Sequence, residues 1–197
     1  YNIMPLFHIH GLIAILSSSI YAGASVYTSV GFNALSFLDK AKKENISWYS
    51  GVPTMHQGIL MRAKKNMEQA KNLSLRFIRS SSASLPPAVF EELIDVFKAP
   101  VIEAYGMTEA THQMTSNPIP PEIQKAGFVG KPAGPDVCIM DIDGNKLEFG
   151  SEGEVCICGD NVMHSYENNE EANKSSFTNG WFRTGDQGFF DKDGYLK

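Results

Sequence analysis

The first part of the chain alternates between short apolar runs and segments with apolar residues at helical spacing. Short runs typical of buried strands lie at 3–5, 24–29, 46–51, 75–80 and 101–105. Helical spacing is found over 12–21, 33–44, 53–69 and 86–97. Asn33 is a suitable N-cap, and Pro53 a suitable first residue of a helix. Strands alternating with helices of about 10–15 residues predict an α/β fold, with a parallel sheet and helices on both faces.

The pattern changes after Asn117. Three prolines at 118, 120 and 121 form an irregular connector. Short alternating strands follow at 137–142, 153–158 and 181–183, separated by Gly, Asp and Asn turns, and a short helix is predicted over 170–177. We therefore predict an α/β subdomain over residues 1–121 and a small β-rich, barrel-like subdomain over residues 122–197.

Length, composition and charge limit the classes of protein to which the chain can belong. The 197 residues are 43% hydrophobic and 20% charged, which is enough to bury a core in one large domain or two small ones. The net charge of −5 argues against a general nucleic-acid or anionic-membrane surface. No apolar run reaches about 18 residues, so no membrane span is predicted. Without an initiator Met or a basic leader, the chain is expected to be an internal piece of a longer protein.

The cysteines and a run of acidic residues each suggest a metal site, and neither site is favoured. Cys138, Cys156 and Cys158 form no C-x-x-C pair, which indicates a reducing compartment. Cys156 and Cys158 alternate along one strand face, as core residues do. The run 141–152 imitates a calcium loop but has Lys146 where a Gly is needed, so a β-turn explains it better.

The most informative stretch is residues 103–112, E-A-Y-G-M-T-E-A-T-H. It follows a buried strand, and open α/β sheets bind ligands at the carboxyl ends of their strands. Gly106 permits a sharp turn. An aromatic ring, a hydroxyl and a carboxylate follow within five residues, and they suit a purine, a phosphate and a hydrated metal ion.

Residues 105–109 resemble the Y-G-x-T-E motif of the adenylate-forming superfamily, which includes acyl-CoA synthetases, luciferases and adenylation domains. The continuation through Glu103 and through residues 110–112 to 117–118 most resembles the oxalate–CoA ligase branch. The resemblance implies an ATP-dependent acid–CoA ligase. A carboxylate attacks the α-phosphorus of ATP, giving an acyl-adenylate and pyrophosphate, and the thiol of coenzyme A then releases AMP.

The resemblance also implies roles in nucleotide binding. Tyr105 would stack on adenine, Thr108 would donate to the α-phosphate, and Glu109 would ligate Mg²⁺, which prefers oxygen ligands. Thr108 and Glu109 are therefore the candidate catalytic residues. Each of the three residues also has a structural alternative. Tyr105 would be an aromatic residue of the core, Thr108 an ordinary cap or turn threonine, and Glu109 a solvated surface carboxylate. The further candidate nucleotide-binding residues are Ser82, Ala83, Ser84, Glu103, Ala104, Gly106 and Asp186.

Asp186 belongs to a second motif. Residues 180–186, G-W-F-R-T-G-D, resemble the W-x-x-T-G-D motif of the same superfamily. Its carboxylate would accept hydrogen bonds from both ribose hydroxyls, and Gly185 would let the backbone approach the ligand. The alternative is an ordinary turn.

The candidate acyl pocket is unusually polar. Residues 79–85 occupy the place of the superfamily's S-G-A-A-P loop, but Ser81, Ser82 and Ser84 replace Gly, Ala and Pro. Such hydroxyls would be unpaired beside a fatty chain and fit a short polar acid. Residues 5–11 resemble the P-x-F-H motif. His8, His10 and His112, with Ser81, would form a pocket for a diacid, although a lone histidine is more often structural, as we expect for His56 and His164.

Parts of the implied enzyme are absent from the chain. The Gly-rich phosphate loop is expected upstream and the C-terminal lid with its lysine downstream, so the chain alone is expected to be inactive. We expect ATP, coenzyme A, Mg²⁺ and a small carboxylic acid, with oxalate the best candidate, in the cytoplasm or the peroxisome. The alternatives are a short- or medium-chain or aryl acyl-CoA ligase and a noncatalytic adenylate-binding module.

Overall fold

Two β-sheets organise the chain, which is described over residues 1–197 by a computed structural model. The first sheet contains β1 (Trp48–Gly51), β2 (Phe77–Ser80), β3 (Val101–Tyr105), β4 (Thr115–Ser116) and β5 (Lys131–Pro132), in that order. The second contains β6 (Asp136–Met140), β7 (Gly153–Cys158), β8 (Phe177–Thr178) and β9 (Trp181–Gly188), in the order β6-β7-β9-β8. The helices are α1 (Ser18–Tyr21), α2 (Ala34–Lys43), α3 (Pro53–Lys64), α4 (Met67–Lys71), α5 (Pro87–Phe97) and α6 (Glu170–Ser176), with a π-helix at His10–Ser17 and a 3₁₀ turn at Thr108–Ala110.

The first sheet confirms the α/β prediction, but it is mixed rather than wholly parallel. Strands β1, β2 and β3 are parallel, and β4 and β5 extend the sheet in antiparallel fashion. The crossover helices α3 and α5 pack against each other, so they share one face of the sheet. The β5 strand lies beyond residue 121, and the subdomain boundary at that residue stays a prediction.

The two faces of the parallel strands differ in polarity. Tyr49, Ile78 and Val101 are fully buried in a 21-residue apolar core beneath helices α2, α3 and α5. Neighbouring residues of a strand point to opposite faces. Ser50 and Arg79 therefore lie on the other face, where the π-helix brings His10 against Ser50. This alternation separates the apolar core from a buried polar cluster.

Helix starts follow the sequence prediction, but one helix is shorter than predicted. Asn33 caps α2 by accepting hydrogen bonds from the amides of Leu35 and Ser36. Pro53 opens α3. The predicted helix over 53–69 is wrong beyond Lys64, because Asn66 leaves the helical conformation, and a second short helix follows it.

The predicted strands at 3–5 and 24–29 are also wrong. This region contains only isolated bridges, from Asn2 to Thr28 and to Ser50. The side chain of Asn2 instead donates to the carbonyl of Gly11 and accepts from the amide of Met4. The first of these bonds joins the start of the chain to the π-helix, which contains Gly11.

The second sheet is antiparallel, as the alternating pattern predicted. Cys138 faces Cys156 across β6 and β7, and all three cysteines are free. The calcium-like run forms a turn in which Asp141 accepts from the amide of Asn145, and no group of three metal-ligating side chains occurs in the structure. No helix has the length and apolar character needed to cross a membrane.

Candidate active site

The two sequence motifs meet through Tyr105 and Asp186. Tyr105 ends β3 and Asp186 lies in β9, and the tyrosine hydroxyl donates a 2.5 Å hydrogen bond to Oδ2 of the aspartate. Burial, reinforced by the neighbouring Asp186 carboxylate, raises the pKa of Tyr105. The hydroxyl therefore stays protonated at neutral pH and remains a donor.

A cavity of about 530 Å³ opens beside this pair. That volume is within the range of ligand sites, about 300–1,000 Å³. Most of the predicted nucleotide-binding residues line it, namely Ser82, Ala83, Ser84, Ala104, Tyr105, Gly106 and Asp186. The remaining lining residues, which the sequence did not single out, are Gly127, Val129, Val155, Gln187, Leu196 and Lys197.

Gly106 is required by the close packing of the first motif on itself. A Cβ at this position would lie 1.2 Å from the carbonyl oxygen of His112. Thr111 and His112 both have positive φ, and the amide of Met114 returns to the carbonyl of Tyr105 at 3.0 Å. The chain thus reverses directly after Glu109, and no side chain larger than hydrogen fits at the crossing point.

The segment after β7 braces the first motif, which the sequence did not reveal. The side-chain amide of Asn161 donates to the carbonyls of Ala110 and Gln113, at 2.8 and 3.0 Å. The Tyr166 hydroxyl donates to Oε1 of Glu109 at 3.1 Å. These partners are about fifty or more residues away in the chain, and nothing in the local pattern marks them.

Glu109 is the one predicted metal ligand. Its side chain is partly exposed and forms no ion pair. Mg²⁺ in nucleotide enzymes is commonly held by one or two carboxylates together with substrate phosphates and water. Glu109 is a single accessible carboxylate in the motif that contains Tyr105, and it fits that requirement. The structure has no group of three or more His, Cys, Asp or Glu side chains that could hold a metal ion by themselves.

Glu154 holds the part of β9 that carries Asp186. Its carboxylate accepts from the amide of Gly185 at 3.0 Å and from Nε of Arg183 at 2.8 Å. Thr184 Oγ1 accepts from the amide of Asp186 at 3.1 Å. Gly185 has φ near +78°, which favours glycine. This part of β9 is therefore held by Glu154 and Thr184, and Asp186 lines the cavity.

Glu103 and Thr108, although predicted to bind nucleotide, do not line the cavity. The Glu103 carboxyl group is buried and accepts from the amide of Gly127 at 2.9 Å. Burial raises the pKa of Glu103 to about 7, and the backbone hydrogen bonds oppose this rise. Thr108 is exposed at the start of the 3₁₀ turn. The nucleotide roles of both residues stay predictions.

Two of the predicted acyl-pocket residues, His10 and His112, lie in a buried polar cluster. Nδ1 of His10 lies 3.0 Å from Ser82 Oγ and its Nε2 2.7 Å from Ser50 Oγ. The His10 and His112 rings are 5.1 Å apart, and Nδ1 of His112 is buried without a hydrogen-bond partner. Burial lowers the pKa of His10 to about 2 and that of His112 to about 4, so both rings are neutral at neutral pH.

Two other members of the predicted pocket have structural partners. The exposed His8 accepts from the amide of His10 through Nδ1 at 3.1 Å. The hydroxyl of Ser81 is buried and donates to the carbonyl of Ala104 at 2.8 Å. Of the two serines, Ser82 therefore provides the hydroxyl that belongs to the cluster.

Arg79 is a further residue that the sequence did not single out as functional. Its side chain is buried, yet its guanidinium contacts only neutral acceptors, Ser50 Oγ at 3.4 Å and Gln113 Oε1 at 3.3 Å. Burial lowers the pKa of Arg79 to about 10, which leaves it charged at neutral pH. A buried charge without a counter-ion is costly. The one signal in the sequence was that Arg79 follows Ile78 in a strand, so that its side chain had to lie on the face of the sheet away from Ile78.

Comparison with known proteins identifies the family of the chain. The family described as AMP-binding enzyme matches residues 1–167. This chain belongs to that family. An oxalate–CoA ligase of Arabidopsis thaliana is 52% identical over 98% of the chain, and one of Saccharomyces cerevisiae is 48% identical over the whole chain. The chain spans 38% and 36% of these two relatives.

A solved structure shows the same fold with nucleotide present. The O-succinylbenzoate coenzyme A synthetase of Bacillus subtilis, in complex with ATP and magnesium ion, matches with a TM-score of 0.82 and 33% identity. The match covers 98% of this chain and 39% of that one. This chain therefore has the fold of a part of that longer protein.

Proposed function

We propose that the protein containing this chain is an ATP-dependent acid–CoA ligase whose acid is a small dicarboxylate, with oxalate the best candidate. The observation that carries the proposal is the buried, uncompensated charge of Arg79, which lies next to the His10 and Ser82 cluster through Ser50. A carboxylate bound there would provide the missing counter-ion. The two oxalate–CoA ligases that resemble the chain support the same acid.

The cavity beside Tyr105 is the proposed nucleotide site. The Tyr105 ring would pack against adenine, and Asp186 would accept hydrogen bonds from the ribose hydroxyls. The backbone of residues 82–84 and 104–106 would form the walls. Thr108 would donate its hydroxyl to the α-phosphate, and Glu109, oriented by Tyr166, would hold Mg²⁺. When bound, Mg²⁺ neutralises phosphate charge that builds up during adenylation.

The polar cluster is the proposed acyl site. His112, whose Nδ1 has no partner within the protein, and Ser82, which is held by the neutral His10, would bond the acid, and Arg79 supplies the positive charge. One carboxylate of the acid would lie towards the α-phosphate and the other towards Arg79. A site built to bond a second carboxylate leaves buried polar groups unpaired when a monoacid binds, and such sites reject the wrong ligand strongly.

The proposed reaction has two steps. A carboxylate oxygen of the acid forms a bond to the α-phosphorus while the bond to pyrophosphate breaks, giving the acyl-adenylate. The sulfur of coenzyme A then forms a bond to the acyl carbon, AMP leaves, and the thiol proton is released. The residues of this chain bind and align the reactants, and no protein nucleophile is needed.

The test is a pyrophosphate-release screen of the full-length protein with ATP, Mg²⁺ and oxalate, acetate, butyrate or benzoate. We expect kcat/KM for oxalate to exceed the others by about a hundredfold or more. A preference for butyrate or benzoate would contradict the dicarboxylate assignment and favour a short-chain or aryl acid–CoA ligase. ATP binding without pyrophosphate release from any acid would favour a noncatalytic adenylate-binding module.

A further inference from the structure

Gln113 is the side chain that meets Arg79 on the side away from Ser50. Its Oε1 accepts a hydrogen bond from Nη2 of Arg79 at 3.3 Å, and its Nε2 donates to the carbonyl of Ala133 at 3.2 Å. Its own carbonyl accepts from Asn161 at 3.0 Å. Both ends of the side chain and its backbone are therefore held in place.

The bond to Ala133 fixes the orientation of the amide. A carbonyl oxygen accepts but cannot donate, so the nitrogen end must face Ala133 and the oxygen end must face Arg79. Gln113 thus satisfies one guanidinium donor with a neutral acceptor. Glutamate has nearly the same shape and would put a full negative charge at the same place.

No carboxylate of the chain contacts Arg79. The seven ion pairs of the structure involve other cations, and both of the side-chain acceptors of Arg79 are uncharged. A buried arginine ordinarily has an acidic partner, because an unpaired charge is costly inside a protein. The neutrality of position 113 therefore leaves the positive charge available to a ligand.

We propose that Gln113 is a specificity-determining residue, whose uncharged amide orients Arg79 while reserving the charge of the guanidinium for the second carboxylate of the acid. The inference rests on the proposed function and deepens it. A carboxylate at position 113 would pair with Arg79 and compete with the substrate. The acyl site would then discriminate poorly between a diacid and a monoacid, while the nucleotide cavity, which Gln113 does not line, would be unaffected.

The test compares Gln113→Glu and Gln113→Met in the full-length protein, with Gln57→Glu as the matched control. Gln57 is exposed on α3 and gives the same added charge away from the site. Measured quantities are kcat/KM for oxalate and acetate, KM for ATP, and Tm with and without oxalate. We expect the oxalate-to-acetate ratio to fall at least about thirtyfold in Gln113→Glu, and the Tm increase caused by oxalate to disappear.

The other variants separate charge from shape. Gln113→Met, which leaves Arg79 without an intramolecular counter-ion, should keep the ratio within about fivefold of wild type, and Gln57→Glu should leave it unchanged. An unchanged ratio in Gln113→Glu, or an equal loss in Gln113→Met, would overturn the inference. A general loss of folding in Gln113→Glu would also overturn it, because a glutamate paired with Arg79 is compensated. If wild type itself does not prefer oxalate, the proposed function fails first.

Discussion

Tyr105 and Asp186, 81 residues apart in the chain, are joined by a 2.5 Å hydrogen bond from the tyrosine hydroxyl to Oδ2 of the aspartate. The bond connects the end of a parallel strand in one sheet to strand β9 of the other. The cavity lies at this junction, with Ala104 and Tyr105 from the first sheet and Val155 and Asp186 from the second in its lining. The candidate nucleotide site therefore depends on how the two sheets meet.

Replacing Asp186 with alanine should raise KM for ATP in the full-length protein by about tenfold or more. The variant loses the acceptor for the ribose hydroxyls, and a hydrogen bond to a charged group contributes about 1.5–3 kcal/mol. Steady-state pyrophosphate release at varied ATP measures the effect. Asp143→Ala, in an exposed turn, is the control and should leave KM for ATP unchanged. An unchanged KM for ATP would remove Asp186 from the site.

Replacing Tyr166 with phenylalanine should increase the Mg²⁺ concentration needed for half-maximal activity several-fold. The hydroxyl that orients the Glu109 carboxylate is lost, while the ring and its packing remain. Titration of Mg²⁺ at saturating ATP measures the change. Tyr21→Phe is the control, because that side chain is exposed. An equal loss of activity at every Mg²⁺ concentration would instead indicate that Tyr166 acts on folding alone.

Replacing Arg79 with methionine should lower kcat/KM for oxalate by about a hundredfold while changing that for acetate by much less. The methionine keeps the apolar stem and removes the buried charge, so the fold should be retained or stabilised. Arg76→Met, an exposed position of the same segment, is the matched control. Equal losses with both acids would refute the carboxylate role of Arg79.

Replacing His112 with alanine should damage the preference for oxalate more than it damages ATP binding. Its ring faces His10 rather than the nucleotide cavity, and its buried Nδ1 has no partner within the protein. Comparing kcat/KM for oxalate and butyrate with KM for ATP separates the two effects. A lower Tm with unchanged acid selectivity would show that His112 only packs beneath the motif.

Replacing Glu103 with glutamine should remove a pH dependence of stability. Burial raises the pKa of this carboxyl group from 4.5 to about 7, so the folded state binds the proton more tightly than the unfolded state. Wild-type stability should therefore fall as the pH rises from about 4.5 to 7, by at most about 3 kcal/mol. Glutamine keeps the acceptor for Gly127 without titrating.

The measurement for Glu103 is Tm at pH 5 and pH 8, with the exposed Glu148→Gln as control. The Tm of Glu103→Gln should exceed that of wild type at pH 8 and differ little at pH 5. KM for ATP should be unchanged if the carboxyl group serves packing alone. A marked rise in that KM would support the nucleotide role that the motif implies for Glu103.

The sequence by itself determined those features that depend on neighbouring residues. Hydrophobic spacing located the helices and the parallel strands, and Asn33 and Pro53 marked helix starts because capping is a local hydrogen-bond and φ requirement. Ala104, Tyr105 and Gly106 lie together in the cavity lining because a strand end and the turn after it are contiguous.

Only the tertiary structure decided which distant partners those residues have. Arg79 lies on an ordinary alternating strand, and its lack of a counter-ion follows from the neutral groups that other segments place around it. Tyr166 bonds to Glu109, and Glu154 accepts from the amide of Gly185, next to Asp186. These partners are far apart in the sequence, so no local pattern predicts their contacts. The run at 24–29 had strand character but formed a single bridge, from Thr28 to Asn2, because strand pairing requires a neighbouring strand. Hydrophobic periodicity acts over a few residues, whereas charge compensation and strand pairing are settled by the complete fold.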